Sequence, residues 1–231
     1  MSDIKINNIT DRSGSSGPIF AGISTVSTSA FMVMPSGPTE FRGGRGRAIF
    51  AGGYVEPSPG ERDTMDKIEI ATAGNSIDFG NLTAARYNLA GGVASSTRGL
   101  FSGGRKETSP ASNLTVIDYV TISSDGGAND WGDLPTARQT HDGASNNIRG
   151  LYGGGRGVYL NQPGNSALGM PTIEYVTIAT TGRSDFFGDL ITKRAILGAV
   201  GSSTRALFCG GYSTPAVTNV IEYVELSLIH I

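Results

Sequence analysis

The sequence predicts an all-β protein assembled from repeats of one small antiparallel sheet. Three observations carry that expectation. Arg47, Arg98, Arg149 and Arg205 each stand six residues before the second glycine of a pair, at Gly53, Gly104, Gly155 and Gly211, and the arginines are spaced 51, 51 and 56 residues apart. A period of this length marks a unit that cannot bury its own faces and stacks on its copies. Glycine makes up 34 of 231 residues, about twice its usual share of ~7%, without the every-third spacing of collagen. Many tight turns between short strands account for it. The clearest strands, Val116-Ile117-Asp118-Tyr119-Val120-Thr121-Ile122 and Thr172-Ile173-Glu174-Tyr175-Val176-Thr177-Ile178, are dominated by β-branched and aromatic residues over seven positions.

Bulk composition narrows the function classes. The formal net charge of −2, from 18 basic and 20 acidic residues, gives no field to condense on a phosphate backbone, so nucleic acid is not an expected partner. No stretch approaches the roughly 20 apolar residues of a membrane span, and Met1 to Asn7 lacks the basic-then-apolar layout of a secretory signal. Membrane insertion is not expected. Cys209 is the single cysteine, which leaves no internal disulfide and no thiolate metal cluster. In register it takes the place of Ala51, Ser102 and Gly153 and reads as a small buried packing residue.

Taken in order, residues 1–42 do not share the repeat. They are rich in Ser, Thr and Gly around short apolar pieces such as Ile19-Phe20-Ala21-Gly22-Ile23 and Ala30-Phe31-Met32-Val33-Met34. A segment this polar reads as an arm that orders on a partner or stays flexible. Residues 43–225 form the repeats. In the unit that is easiest to parse, strands are expected at Thr140 to Ser145, Arg149 to Gly153, Thr172 to Ile178 and Phe186 to Leu190, each bounded by Gly, Asn, Asp or Pro. A four-stranded meander covered on both faces by its neighbours is a propeller blade. The glycine pairs Gly52-Gly53, Gly103-Gly104, Gly154-Gly155 and Gly210-Gly211 end the second strand, where close backbone approach excludes a Cβ. The aromatic-glycine steps at Phe79, Trp131 and Phe187, followed by Leu82, Leu134 and Leu190, are expected to fill the space between blades.

The segment Ile117-Asp118-Tyr119-Val120 through Trp131-Gly132-Asp133-Leu134-Pro135-Thr136-Ala137-Arg138, with His141, Gly143 and Leu151-Tyr152-Gly153-Gly154, resembles a kelch repeat. Phenylalanine replaces the tryptophan in the first and third units. The glycine-rich unit with Thr-Ile-Ala-Thr-Thr-Gly and Asp-Phe-Phe-Gly-Asp-Leu is similar to kelch-like units in structural proteins of tailed bacteriophages, particularly marine ones. Ile4 to Gly14 resembles leaders on phage fibre and virion proteins. These resemblances imply an incomplete kelch-like propeller of about three and a half blades. They also imply a non-enzymatic virion component, a fibre or surface protein, whose partners are other virion proteins or a host surface glycan. A cellular, cytoplasmic kelch-type adaptor is the competing expectation, and a glycan-active or redox propeller enzyme the third.

At the end of the chain, residues 226–231 (Leu-Ser-Leu-Ile-His-Ile) break the pattern of Thr121-Ile122 and Thr177-Ile178. They match the translation of CTG TCT CTT ATA CAC ATC, a transposon-end sequencing adapter. The expectation is that this hexapeptide is an artefact and that the natural repeats continue.

Site residues follow from which spacings vary. The stretch from the acid of the third strand (Asp66, Asp118, Glu174) to the aromatic of the fourth, and from there to Arg86, Arg138 and Arg194, is constant, whereas the loop between strands two and three changes length. In a meander that loop leaves from the same face as the link to the next blade. Tyr54 to Met65, Arg105 to Leu114, Arg156 to Pro171 and Tyr212 to Thr218 therefore crowd one face, the usual place for recognition on a rigid scaffold. Arg105, Lys106, Arg156, Tyr159 and Tyr212 offer it the largest contact area and directional hydrogen bonds. Arg86, Arg138 and Arg194 can hold carboxylates or sulfated sugars as a ring of guanidinium groups, but residues in fixed register more readily bond carbonyls of the neighbouring blade. No catalytic site, metal or cofactor is expected. His141 and the suspect His230 are the only histidines, the acids are held apart by the repeat, and no lysine-serine or lysine-threonine follows a glycine pair.

Overall fold

The computed structural model describes residues 46–57, 60–70, 72–107, 112–157 and 169–226. Over them the protein is all-β, and its sheets are antiparallel but for one two-residue parallel edge pairing. The expectations for residues 1–42, for Tyr159 and for 227–231 lie outside the described residues.

Four sheets of three or more strands follow one another among the described residues, with three two-stranded ladders beside them. The first holds Arg47–Tyr54, Glu61–Glu69 and Ile77–Asn81 in that order. The second holds Val93–Ala94, Arg98–Ser102, Val116–Thr121 and Asn129–Asp133, and the third Asp142–Ser145, Arg149–Gly153, Met170–Thr177 and Asp185–Arg194. The fourth holds Gly198–Gly201, Arg205–Cys209 and Ile221–Glu225. Within a full sheet these are the lead, second, third and last strands. The last strand of the third sheet runs to Arg194, beyond the expected Leu190, and its lead strand starts at Asp142 rather than Thr140. Thr140 is instead in the left-handed region at φ 55°, which no strand accommodates.

Local chemistry sets the turns. Between lead and second strands, Ser95, Asn146 and Ser202 donate their backbone N–H to the carbonyls of Arg98, Arg149 and Arg205 at 2.9, 3.0 and 2.8 Å. Their side-chain oxygens accept the amide of the same arginine at 3.1, 2.7 and 3.0 Å. A polar side chain that satisfies the backbone locally is why Ser and Asn stand there. Between third and last strands the register slips at Met65/Asp66, Ile117/Asp118 and Ile173/Glu174. The residues passed over are Phe79, Trp131 and Phe187, so each aromatic is the extra residue of a β-bulge, which re-aims it out of the ladder.

The core lies between consecutive sheets. Met65, Phe79 and Leu82 meet Phe101 and Val120; Ile117, Trp131 and Leu134 meet Tyr152, Val176 and Ile178; Leu151, Ile173 and Leu190 meet Ala206, Phe208 and Leu226. The aromatic steps fill these layers as expected, with Phe187 only half-buried at the rim. Leu226 takes the place of Ile122 and Ile178: its amide bonds Thr204 O at 2.6 Å as theirs bond Thr97 O and Ile148 O at 2.9 Å. Cys209 is half-buried, not buried as its register predicted, because no further sheet covers the fourth among the described residues. Ile221 on the same face is 66% exposed, against 0% for its counterpart Ile117, and Phe50 on the opposite face of the first sheet is 58% exposed.

The outer edges interlock too. Gly182 and Arg183 pair in parallel with Gly132 and Asp133, and Gly126 N and Ala128 N bond Phe79 O and Asn81 O at 2.8 and 2.7 Å. A Cβ on Gly80 or Gly132 would stand 2.2 or 1.4 Å from the carbonyl oxygen of Gly126 or Gly182. The glycine after the aromatic is therefore set by the neighbouring sheet.

Candidate functional site

Gly103-Gly104 and Gly154-Gly155 follow directly on their second strands, beneath the link that leaves the same sheet, whereas Gly52-Gly53 lies within the strand Arg47–Tyr54 at a β-bulge rather than at its end. Gly52, Gly103 and Gly154 have φ of 66°, 58° and 67°, and a Cβ on them would lie 2.6, 2.5 and 2.6 Å from the carbonyl oxygens of Arg86, Arg138 and Arg194. The second glycines, Gly53, Gly104 and Gly155, donate their N–H to those same oxygens at 3.0 Å. Glycine is required twice over, for the left-handed turn and for the contact. Gly210 and Gly211 keep the conformation, at φ 59° and 110°.

The clasped arginines reach forward. Arg86 Nη2 meets Asp118 Oδ2 at 3.0 Å, Arg138 pairs with Glu174, and Arg194 Nη1 meets Glu222 Oε1 at 2.7 Å. Each acid belongs to the third strand of the following sheet, and all six side chains are buried. The guanidiniums also donate to carbonyls of that sheet: Arg86 to Phe101 O at 3.3 Å, Arg138 to Gly154 O and Thr172 O at 3.2 Å, Arg194 to Phe208 O at 3.0 Å. The arginines expected to offer a ring of guanidinium groups to an outside anion are consumed internally, by carboxylates as well as carbonyls. Burial lowers the pKa of Arg86 and Arg138, each against the pull of its acid, and burial raises Glu174 against the pull of Arg138.

A second hydrogen bond steadies each acid. Thr83 N donates to Asp118 at 3.0 Å and Ile191 N to Glu222 at 2.7 Å. The equivalent residue of the second sheet is Pro135, which has no N–H; there Ser184 Oγ donates to Glu174 Oε2 at 2.9 Å.

Two residues beyond each arginine, Asn88, Thr140 and Ile196 have φ of 53°, 55° and 54°. They form a chain across sheets, Thr140 N to Asn88 O at 3.0 Å and Ile196 N to Thr140 O at 2.9 Å. One residue further, His141 stands where the other sheets have Leu89 and Leu197. It is buried, with Nε2 2.8 Å from Ser102 Oγ and its ring edge-on to Tyr152 at 5.7 Å. Burial first, then the charge of Arg138, holds its pKa well below the ordinary imidazole value. A serine-histidine pair is a nucleophile with its base, but both side chains are enclosed by the core.

The variable loops hang from these links. Arg105 exchanges both backbone hydrogen bonds with Tyr87 at 3.0 and 2.7 Å, and Tyr212 does the same with Ala195. Arg156 pairs with Gln139. Tyr54, Arg105, Arg156 and Tyr212 thus take equivalent places on the side where the links run. Neighbours on that side touch: Tyr54 and Tyr87 rings lie 5.2 Å apart, Asn113 Nδ2 donates to Arg156 O at 2.9 Å, and the Arg156 guanidinium lies 5.7 Å from the Tyr212 ring. Asn88 Nδ2 donates to Gln139 Oε1 at 3.0 Å. Lys106 is half-buried beside Arg105 in the ladder with Ser112–Asn113. Sequence reasoning missed Tyr87 and Gln139 and held Tyr54 and Asn113 only as members of variable segments; the one available signal was that Tyr54 directly follows a glycine pair, as Arg105, Arg156 and Tyr212 do. Amide, guanidinium and phenol groups on rigid ladders can hydrogen-bond hydroxyls and stack on the apolar faces of a sugar or peptide.

A scan against protein-family models finds none that matches this chain, and a search of curated proteins finds no match.

Proposed function

We propose that this protein is a non-enzymatic recognition scaffold, a kelch-like propeller in the virion of a tailed phage, which binds host surface glycan or another virion protein through the face bearing Arg105, Lys106, Arg156 and Tyr212. The observation that carries the reading is a division of labour. The charged groups repeated at the junctions between sheets (Arg86, Arg138, Arg194 and the acids facing them) are bound within the protein, whereas residues that change from sheet to sheet lie on the link side. A scaffold of interlocked sheets with a variable loop face fits binding by shape and hydrogen bonds, without turnover.

The test is a bacterial surface glycan array probed with the intact chain and with Arg105→Ala/Arg156→Ala/Tyr212→Ala. Saturable binding lost in the triple variant, with an unchanged unfolding midpoint, is expected. Binding that survives the triple variant moves the site elsewhere. No glycan binding, together with no binding to virion proteins of a phage encoding the chain, sinks the proposal.

A further inference from the structure

The variable loops divide by charge. Tyr54 to Met65 of the first sheet holds Glu56, Glu61 and Asp63 against Arg62. Arg105 to Leu114 of the second holds Arg105 and Lys106 against Glu107, Arg156 to Pro171 of the third holds Arg156 and no acid, and Tyr212 to Thr218 of the fourth has no charged residue. In a chain whose net charge is −2, the loops are thus acidic at the first sheet and basic at the second and third.

The basic part is contiguous. Arg105 pairs with Asn113, and Asn113 Nδ2 donates to Arg156 O at 2.9 Å, so one residue joins the two arginine backbones. Each backbone is also tied to a link, Arg105 to Tyr87 and Arg156 to Gln139. The Arg156 guanidinium lies 5.7 Å from the Tyr212 ring, an attraction that consumes none of its N–H donors. Elsewhere the cations are spent internally: Arg47, Lys67, Arg86, Arg138, Arg194 and Arg205 each meet a carboxylate, and Arg98 Nη1 donates to Ala179 O at 2.8 Å. Arg105, Lys106 and Arg156 meet no carboxylate among the described residues, and all three are half-buried. Partial shielding from water strengthens the hold of such groups on an anion.

The chemistry of the neighbours narrows the anion. A guanidinium matches the paired oxygens of a carboxylate or sulfate. Three cations are too few to follow a phosphate backbone, whereas the amides of Asn113 and Gln139 and the phenol of Tyr212 suit sugar hydroxyls. We propose that the ligand of the link side is an acidic glycan whose carboxylate or sulfate groups bind Arg105 and Arg156, with Lys106 adding charge beside them. This inference rests on the glycan reading above and narrows it.

The test places the intact chain on the same bacterial glycan array. The glycans retained are expected to carry uronic acid or sulfate groups. Carboxyl reduction of the strongest uronate binder, or desulfation of the strongest sulfated one, keeps the sugar chain and removes its charge. The effective treatment, and a rise in NaCl from ~50 to ~300 mM, are each expected to weaken binding by ~tenfold or more, and which treatment acts tells carboxylate from sulfate. Arg105→Gln/Arg156→Gln is expected to lose ~tenfold or more at an unchanged unfolding midpoint, and Arg62→Gln/Lys193→Gln, which removes two cations outside the cluster, to lose less than ~twofold. Retention of neutral glycans alone, binding that survives removal of the charged groups, or equal losses in the two double variants overturns the inference while leaving glycan recognition in place. An equally tight complex with a single-stranded oligonucleotide also overturns it, since the cluster would then be a general polyanion site. If no glycan is retained, the inference falls with its premise and the recognition reading is left with virion proteins. The salt and charge-removal arms need no variant, so they decide even if the double variants do not fold.

Discussion

At the scale of single residues, the buried arginine-carboxylate pairs dominate, and their weight is asymmetric. Removing one partner leaves a lone buried charge at a cost of about 3–5 kcal/mol, whereas replacing both with apolar groups is often nearly neutral. Arg138→Met is therefore expected to lower the unfolding free energy by about that amount, and Arg138→Met/Glu174→Leu to recover most of it, read from urea midpoints. His141 gives a second prediction. The unfolded chain binds a proton at this imidazole near its ordinary pKa of 6.5, while the folded protein does so only well below it. Stability contributed by the neutral ring is thus present above pH 6.5 and falls with pH beneath it, by about 1.4 kcal/mol per pH unit. His141→Leu, which copies Leu89 and Leu197, should remove that acid-dependent slope in unfolding measured from pH 7 to 5. Ile196 carries strain, being β-branched at φ 54°, a conformation costing an L-residue roughly 1–2 kcal/mol. Ile196→Asn, the residue of the equivalent Asn88, should raise the urea midpoint by the equivalent of about 1 kcal/mol.

At the scale of strands and turns, the glycines separate two kinds of demand. Gly132 faces the Gly182 carbonyl at a distance no Cβ tolerates, whereas a Cβ on Gly188, its counterpart in the third sheet, would meet nothing within 4 Å. Gly132→Ala combines overpacking with a strained φ of 137° and should destabilise by at least about 2 kcal/mol; Gly188→Ala should change little in the same denaturation assay. The strands were largely legible in the sequence, because β-branched runs, polar turns and glycine pairs state their local roles. The partners of the arginines were not. Asp118 lies 32 residues beyond Arg86, and Glu222 28 beyond Arg194, so the pairing depends on how sheets stack rather than on any local spacing. The fixed register flagged these arginines as scaffold without saying that acids, too, would be consumed. Nor does a serine at position 102 signal a bond to His141, since they share a junction only after two sheets meet. The bulged aromatics were visible as a repeated aromatic-glycine step; that the aromatic is the residue left out of the ladder was not.

At the scale of the whole molecule, cohesion passes from each sheet to the next through buried layers and the forward arginine ties. The outward faces of the first and fourth sheets, by contrast, expose Phe50, Ile221 and Tyr223. Apolar faces of this kind associate, so the chain should self-associate with rising concentration, and Ile221→Lys should weaken that association in sedimentation velocity without lowering the unfolding midpoint. On the link side, Tyr54, Arg105, Arg156 and Tyr212 show why the candidate site was only half legible: composition marks contact-forming residues, but which neighbours they touch is decided by loops of unequal length.

The forward tie also bears on ancestry. The second and third units each carry an arginine that serves the successor and an acid that serves the predecessor, so a tandem copy of either inserted in frame arrives with both halves of the fastening. Duplication can then lengthen the series without any compensating change, and the acid is free to drift between aspartate and glutamate, as at Asp118, Glu174 and Glu222, so long as the reach across the junction is kept. A recombination point between a clasped arginine and the next third strand, by comparison, would bring together halves with separate histories. Such crossovers should survive only where the incoming acid still meets the resident guanidinium.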